Sequence, residues 1–339
     1  MRENGWPVPR AAGQLSSRPL GRSAGERLRD MTRWYTVTPL HNLELSSDAR
    51  FEFADGLVLA AVPDWVAKDR VVENLDSRNR RALAEATHGF VAEYEAASLG
   101  EPDPAWKGPQ RKSIQETKYE LTVLGNLALW LSRPSLVCFN VVLHAPQIGG
   151  QPFVQRLEQH STLLCHPQDI GNTLSAEDID FARMLHSSLA LLPRGNAMWT
   201  AVRATWSALQ MNEEEVRYLL FWIALEALFG PEDAREMTFR LSQRVSLFLA
   251  ENPSEARDLF ARAKTGYAFR SKVAHGRWKE NPDGLALMAE VETFVRRSLV
   301  GLLQDPELTK TFLGNDREPY LDDLVFSTWA NEPESSGGA

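Results

Sequence analysis

Cysteine is scarce: Cys138 and Cys165 are the only two in 339 residues. Two thiols give no disulfide framework, and such usage suits a reducing compartment, so a cytoplasmic setting is expected. No apolar run reaches the roughly 18 residues of a membrane span, and none is expected. The first thirty residues, MRENGWPVPRAAGQLSSRPLGRSAGERLRD, lack the apolar centre of a secretory signal. They are rich in Arg, Gly, Pro and Ser, and residues 1–30 read as a disordered leader. Met31 follows at once, so an upstream misassigned start is one reading of that leader and an organellar transit peptide another. Also missing are G-x-G-x-x-G, the Walker A phosphate loop, G-x-S-x-G and H-E-x-x-H, which removes the usual signatures of nucleotide binding, serine hydrolysis and zinc proteolysis. Net charge is −8, which excludes a chain coated in positive charge but leaves room for a local basic site.

What is present is an ordinary globular balance, 43% hydrophobic and 24% charged, enough to form a core without disulfides or metals. In the first half, Phe51, Phe53, Leu57 and Leu59 alternate around Asp55-Gly56, a hairpin signal, because that dipeptide tolerates positive φ. Residues 71–97 read as helical from their Ala, Glu and Arg content, and residues 98–112 as a loop. Ser113 and Glu116 form a capping box for a helix to about residue 132. SLVCFNVVLH, residues 135–144, reads as a buried strand. Trp34, Tyr35 and Trp65 read as packing residues. Residues 31–172 are thus predicted to be a mixed α and β domain without internal repeats.

The second half changes character. Ser175 with Asp178 opens a helix, residues 196–211 form another, and Asn212 with Glu215 opens a third whose stripe is Val216, Leu219, Leu220, Ile223 and Ala227. Phe229-Gly230-Pro231 stops it. A fourth helix spans about 233–250 with Leu241, Val245 and Phe248. Asn252, Pro253 and Glu255 start a fifth, and a last core helix, 285–303, carries Met288, Val291, Val295, Leu299 and Leu302. The fold class expected is α+β overall: a mixed N-terminal domain, then an all-α bundle over 175–305. Residues 306–339 form an extension whose final residues are disordered.

The chemistry concentrates in YAFRSKVAHGR, residues 267–277. Between positions 262 and 280 six cations, Arg262, Lys264, Arg270, Lys272, Arg277 and Lys279, meet one acid, Glu280. Metal-free RNA cleavage needs a base at the 2′-hydroxyl, an acid at the leaving oxygen and positive charge at the non-bridging oxygens. Histidine titrates in the useful range, and arginine grips phosphate with two parallel hydrogen bonds. On an ideal helix Arg270 and His275 stand about 140° apart. A symmetric dimer would bring two copies of the motif to one cleft and supply both acid and base. His275 could instead be a helix-end histidine favoured by the dipole. Glu226, on the apolar helix, should be paired: either with Arg240 or Arg244 to fix packing, or with Arg270 or His275 to orient them. His160, Cys165 and His166, with Cys138, match no zinc spacing and read as loop and core residues, so no metal and no cofactor are expected.

The succession LLFWIALEALFG, FRLSQRVSLFL and YAFRSKVAHGR resembles the HEPN superfamily of helical domains, more narrowly its Apea-like branch in prokaryotic proteins. The resemblance covers roughly residues 196–305. It implies Arg-x4-His as Arg270 and His275, the catalytic pair of a dimeric, metal-independent ribonuclease. It also implies supporting roles for Ser271, Glu226 and Lys272, and RNA contacts through Lys264, Arg277, Lys279 and Arg244. Ser271 departs from the Asn, Asp or His often found after the motif arginine, yet its hydroxyl can still donate to phosphate. Some members of the superfamily bind without cutting. The implied partners are RNA and a second copy of the chain. DNA, lacking the 2′-hydroxyl, should resist. The implied setting is antiviral defence or a toxin-like response, with the N-terminal region in a sensing or targeting role.

Overall fold

The computed structural model describes residues 32–46, 48–69, 75–106, 111–160, 173–231, 233, 235–277 and 282–327. The expected leader and terminal tail, Cys165, His166, Lys279 and Glu280 lie outside these residues.

The first half is an antiparallel sheet backed by one long helix. Its strands are β1 (Thr32–Pro39), β2 (Phe51–Glu52), β3 (Leu57–Ala61), β4 (His88–Ala96), β5 (Val141–Ile148), β6 (Gln151–Pro152) and β7 (Arg156–Gln159). The sheet order is β2-β3-β4-β1-β5-β6, with β7 also on β5. The expected hairpin forms: Phe51 pairs with Leu59, and Asp55 and Gly56 take φ of 56° and 74°. Ala54–Gly56 makes a single 3-10 turn rather than a two-residue loop.

Among the described residues two short helices, α1 (Asp64–Lys68) and α2 (Ser77–Glu85), precede β4. The expectation of helix throughout 71–97 therefore fails at 88–96. There Phe90 and Ala92 alternate inward, and the strand is held on both edges by β1 and β3. Local helix propensity yields to two strand neighbours. The strand expected at 135–144 also moves: β5 starts at Val141, and before it only Cys138 makes an isolated bridge, to His41.

Helix α3 (Ile114–Ser132) opens with the predicted capping box: the Glu116 amide donates to Ser113 Oγ at 3.2 Å and the Ser113 amide to Glu116 Oε2 at 2.8 Å. Its residues from Leu121 to Leu131 are all buried. That is the mark of a helix covered on every side, here by the sheet and by α4 (Ala176–Leu191). The main core runs without a break from Leu57, Leu59 and Phe90 through α3 into the bundle. A smaller core, including Val37, Val66, Leu83 and Leu143, fills the opposite face of the sheet.

The bundle continues with α5 (Ala197–Gln210), α6 (Glu214–Phe229), α7 (Met237–Leu249), α8 (Pro253–Ala274) and α9 (Pro282–Gln304). Helix α5 packs along α6 and α7 along α8, while α9 touches α4, α6 and α7. The Asn252 cap is present, its side chain accepting from the Glu255 amide at 3.0 Å. The expected cap at Asn212 is not: Glu213 is the N-cap, without a side-chain bond. The stripe expected on α6 also faces the wrong way. Tyr218, Phe221, Trp222, Leu225 and Leu228 are among its buried residues, while Val216 and Ile223 are 38% and 40% exposed. Two further helices, α10 (Pro306–Leu313) and α11 (Arg317–Ser327), bury Phe312 and Leu321, so the start of the extension is part of the packed structure.

Candidate functional site

Helix α8 ends at the Arg-x4-His segment, and the way it ends explains His-Gly. His275 is the C-cap residue, Gly276 adopts φ of 70°, the Gly276 amide donates to the Val273 carbonyl at 2.9 Å and the Arg277 amide to the Lys272 carbonyl at 3.0 Å. This is a Schellman closure, which satisfies the last carbonyls and requires a residue that accepts the left-handed conformation. It leaves His275 exposed at the helix tip.

Arg270 turns the other way. Its Nη2 lies 3.1 Å from Glu226 Oε1, and the Tyr267 hydroxyl donates to the same oxygen at 2.9 Å. The guanidinium stands 5.5 Å from the Tyr267 ring centre, and that ring meets Trp222 edge-on at 5.2 Å. Burial, then the neighbouring Glu226 charge, pushes the Tyr267 hydroxyl up to about 12, so it serves as a donor at neutral pH. Of the two pairings open to Glu226, the one with Arg270 forms. Arg270 and Glu226 are 30% and 25% exposed, and Arg270 Nε is buried with no acceptor among the described residues. The pair is thus oriented and partly dry, with one donor unspent. Among the described residues no hydrogen bond joins Arg270 to His275, in keeping with their angular separation on the helix.

The remaining predicted residues divide. Ser271, Lys272, Lys264 and Arg277 are exposed on or just beyond the outward side of α8. Arg244 is a correction. It is 1% exposed, and its guanidinium donates to the Phe229 carbonyl at 3.3 Å, Glu318 Oε2 at 2.8 Å and Asp322 Oδ1 at 2.9 Å. An arginine so committed cannot reach RNA; it ties α7 to α11.

A polar arc in the first half escaped the sequence reading. His144 Nδ1 lies 3.0 Å from Thr36 Oγ1, and its Nε2 lies 3.3 Å from Glu158 Oε1. The other Glu158 oxygen is 3.8 Å from His160 Nε2, and His160 Nδ1 is 3.2 Å from the Tyr119 hydroxyl, whose ring stacks on the imidazole. Burial raises the Glu158 carboxyl, but His144, Arg156 and His160 outweigh it and hold the group below the usual range, while burial depresses His160. Among the described residues no group of three His, Cys, Asp or Glu side chains is placed to hold a metal. The arc joins β5 and β7 to α3. No motif in the sequence marks it: Thr36 and His144 come together only through the register in which β1 pairs with β5.

Comparison with known families, curated proteins and solved structures finds no match to this chain.

Proposed function

We propose that the chain is a metal-independent endoribonuclease of the HEPN type that acts as a homodimer in the cytoplasm. The observation that carries this reading is the Glu226–Arg270–Tyr267 cluster. An arginine is held by a carboxylate that a tyrosine hydroxyl also bonds, about one and a half helical turns from an exposed, glycine-capped histidine. A second observation supports the dimer. On α6 the exposed Val216 and Ile223, with half-buried Leu219 and Leu220, lie on the stripe that leads to Glu226. Two such stripes packed about a two-fold axis would bring two motifs together.

In the proposed reaction His275 takes the proton of the 2′-hydroxyl, which attacks the adjacent phosphorus. The partner subunit's His275 protonates the leaving 5′-oxygen. Arg270 offsets the charge that builds on the non-bridging oxygens. The products are a 2′,3′-cyclic phosphate end and a 5′-hydroxyl end, and DNA is not cut. A role in antiviral defence or growth arrest belongs to the same proposal and rests on the resemblance alone.

The test is cleavage of end-labelled RNA in EDTA. The wild type is expected to cut, and His275→Ala and Arg270→Ala each to lose about 100-fold or more. Cutting that survives both substitutions overturns the reading. The second reading is a module that binds RNA, a nucleotide or a protein without cutting, favoured by the charge that Glu226 already takes from Arg270. Salt-sensitive RNA binding without cleavage by the wild type would select its RNA-binding form.

A further inference from the structure

The outward side of α8 carries more than the motif. Phe239, in the first turn of α7, is 47% exposed, and its ring meets Phe260 of α8 edge-on at 5.4 Å. The Lys264 ammonium stands 5.8 Å from the Phe260 ring centre. Glu236, Met237, Thr238, Phe239 and Lys264 line a shallow recess between α7 and α8. Lys264 is also the edge of a second recess, between α8 and α9, lined by Thr265, Ala268, Phe269, Lys272 and Asp283 among others. The two recesses meet at Lys264, and the second runs along α8 toward its C-terminal end.

Helix geometry links them to the motif. At 100° per residue Lys264, Ala268 and His275 fall within about 40° of one another, and Lys264 to His275 spans about 16 Å along the axis. Arg262 and Arg270 are paired with Glu290 and Glu226, whereas Lys264, Lys272 and Arg277 form no ion pair among the described residues. An exposed ring at one end and cations spaced along the line are the elements of a single-strand binding tract. Bases stack on the aromatic faces, and phosphates follow the charge.

We propose that a single-stranded RNA segment lies along α8, with one base stacked on Phe239 and its backbone passing Lys264 and Lys272 to reach His275. This rests on the ribonucleolytic reading of the motif and adds what it lacks: a substrate class, unpaired RNA, and an anchor a few nucleotides from the scissile bond. A duplex cannot offer the stacked base and is excluded.

The experiment measures fluorescence anisotropy of a labelled, unstructured oligoribonucleotide with the full chain carrying His275→Ala, in EDTA. Adding Phe239→Ala is expected to weaken binding roughly tenfold or more, the range of one lost base–aromatic stack, while Phe239→Trp restores it. Adding Lys264→Glu with Lys272→Glu is expected to weaken it further and to flatten the salt dependence. Phe239 is half exposed, so Phe239→Ala should stay folded, shown by a cooperative thermal transition only modestly below that of its parent. RNA affinity unchanged by Phe239→Ala overturns the tract, as does duplex RNA held as tightly as the single strand. Equal retention of a polyglutamate peptide, indifferent to Phe239, overturns it in favour of an acidic protein partner. The two readings fail separately. Cleavage by wild type that Phe239→Ala leaves untouched removes the tract and keeps the nuclease. Phe239-dependent binding without any cleavage keeps the tract and removes the nuclease.

Discussion

At the scale of single residues, the half-buried carboxylate of Glu226 is satisfied by one cation and one hydroxyl. Tyr267→Phe removes the hydroxyl and leaves the ring packed on Trp222. A hydrogen bond to a charged acceptor contributes about 1.5–3 kcal/mol when buried. At 25% exposure of Glu226, a loss of about 1 kcal/mol is expected from urea unfolding. His186 makes a second case. It is fully buried, accepts from the Ala54 amide at 3.3 Å through Nδ1, and donates from Nε2 to the Leu121 carbonyl at 3.1 Å. That is a neutral imidazole with both nitrogens used. Burial pushes it down to about 4. Between pH 4 and the ordinary value near 6.5 the unfolded chain therefore binds more protons, so this histidine's share of the stability is lost as pH falls through that window. It amounts to about 3 kcal/mol at most. Glu292, pushed up to about 7 by burial against the pull of Arg217 and Arg296, works in the opposite sense over nearly the same window, so the wild-type curve alone will look flatter. Subtracting the pH profile of His186→Gln isolates the histidine. A difference that does not shrink from pH 7 to pH 4 would refute the assignment.

At the scale of elements, what could be read depended on whether one signal spoke alone. Caps were legible where a short polar side chain met a free amide: Ser113, Ser175 and Asn252 all cap as their spacing implies. The segment 88–96 was not, because its Ala and Glu content favours a helix and only β1 and β3 on either edge make it a strand. The inward face of α6 was not legible either. In LLFWIALEALF nearly every position is apolar, and periodicity cannot choose between Trp222 and Ile223 when both sides are oily. At the site, the pairing of Arg270 was visible as one of two alternatives. The burial of Arg244 was hidden because its acidic partners sit in α11, a stretch with no motif to draw attention. Helix α8 gives a direct test of its ending. A Cβ added at position 276 would meet none of the described residues within 4 Å, so Gly276→Ala acts there through backbone strain. It is expected to cost about 1 kcal/mol, to fray the last turn and to lower the proposed ribonuclease activity by displacing His275. Gly276→Asn, which tolerates the left-handed region better, should recover part of both; equal stability of all three would refute the capping role.

At the scale of the molecule, the two halves and the extension behave as one hydrophobic body. Helix α3 is buried between the sheet and α4, Arg296 of α9 donates to the Leu131 carbonyl at 3.1 Å, and the main core has no break at residue 172. The C-terminal helices close the other end. Arg317 donates to the Ala227 carbonyl at 2.7 Å, at the end of the helix that carries Glu226, and Glu318 and Asp322 neutralise Arg244, the most deeply buried arginine among the described residues. Ending the chain at residue 305 would remove Phe312 from the rings of Phe229 and Phe248, uncover those two side chains and strand the Arg244 charge. Removing the partners of a buried ion costs about 3–5 kcal/mol, a large share of the stability of an ordinary domain. The shortened chain is expected to unfold at a much lower urea concentration than the full chain, or to be insoluble. Because insolubility alone would not identify the cause, Arg244→Met in the shortened chain provides the control. It removes the stranded charge at nearly constant volume, so it should recover several kcal/mol there while doing little or harm in the full chain. If Arg244→Met affects both chains alike, the closure by α11 is not electrostatic. If the chain ending at 305 unfolds where the full chain does, the bundle stands without its C-terminal helices.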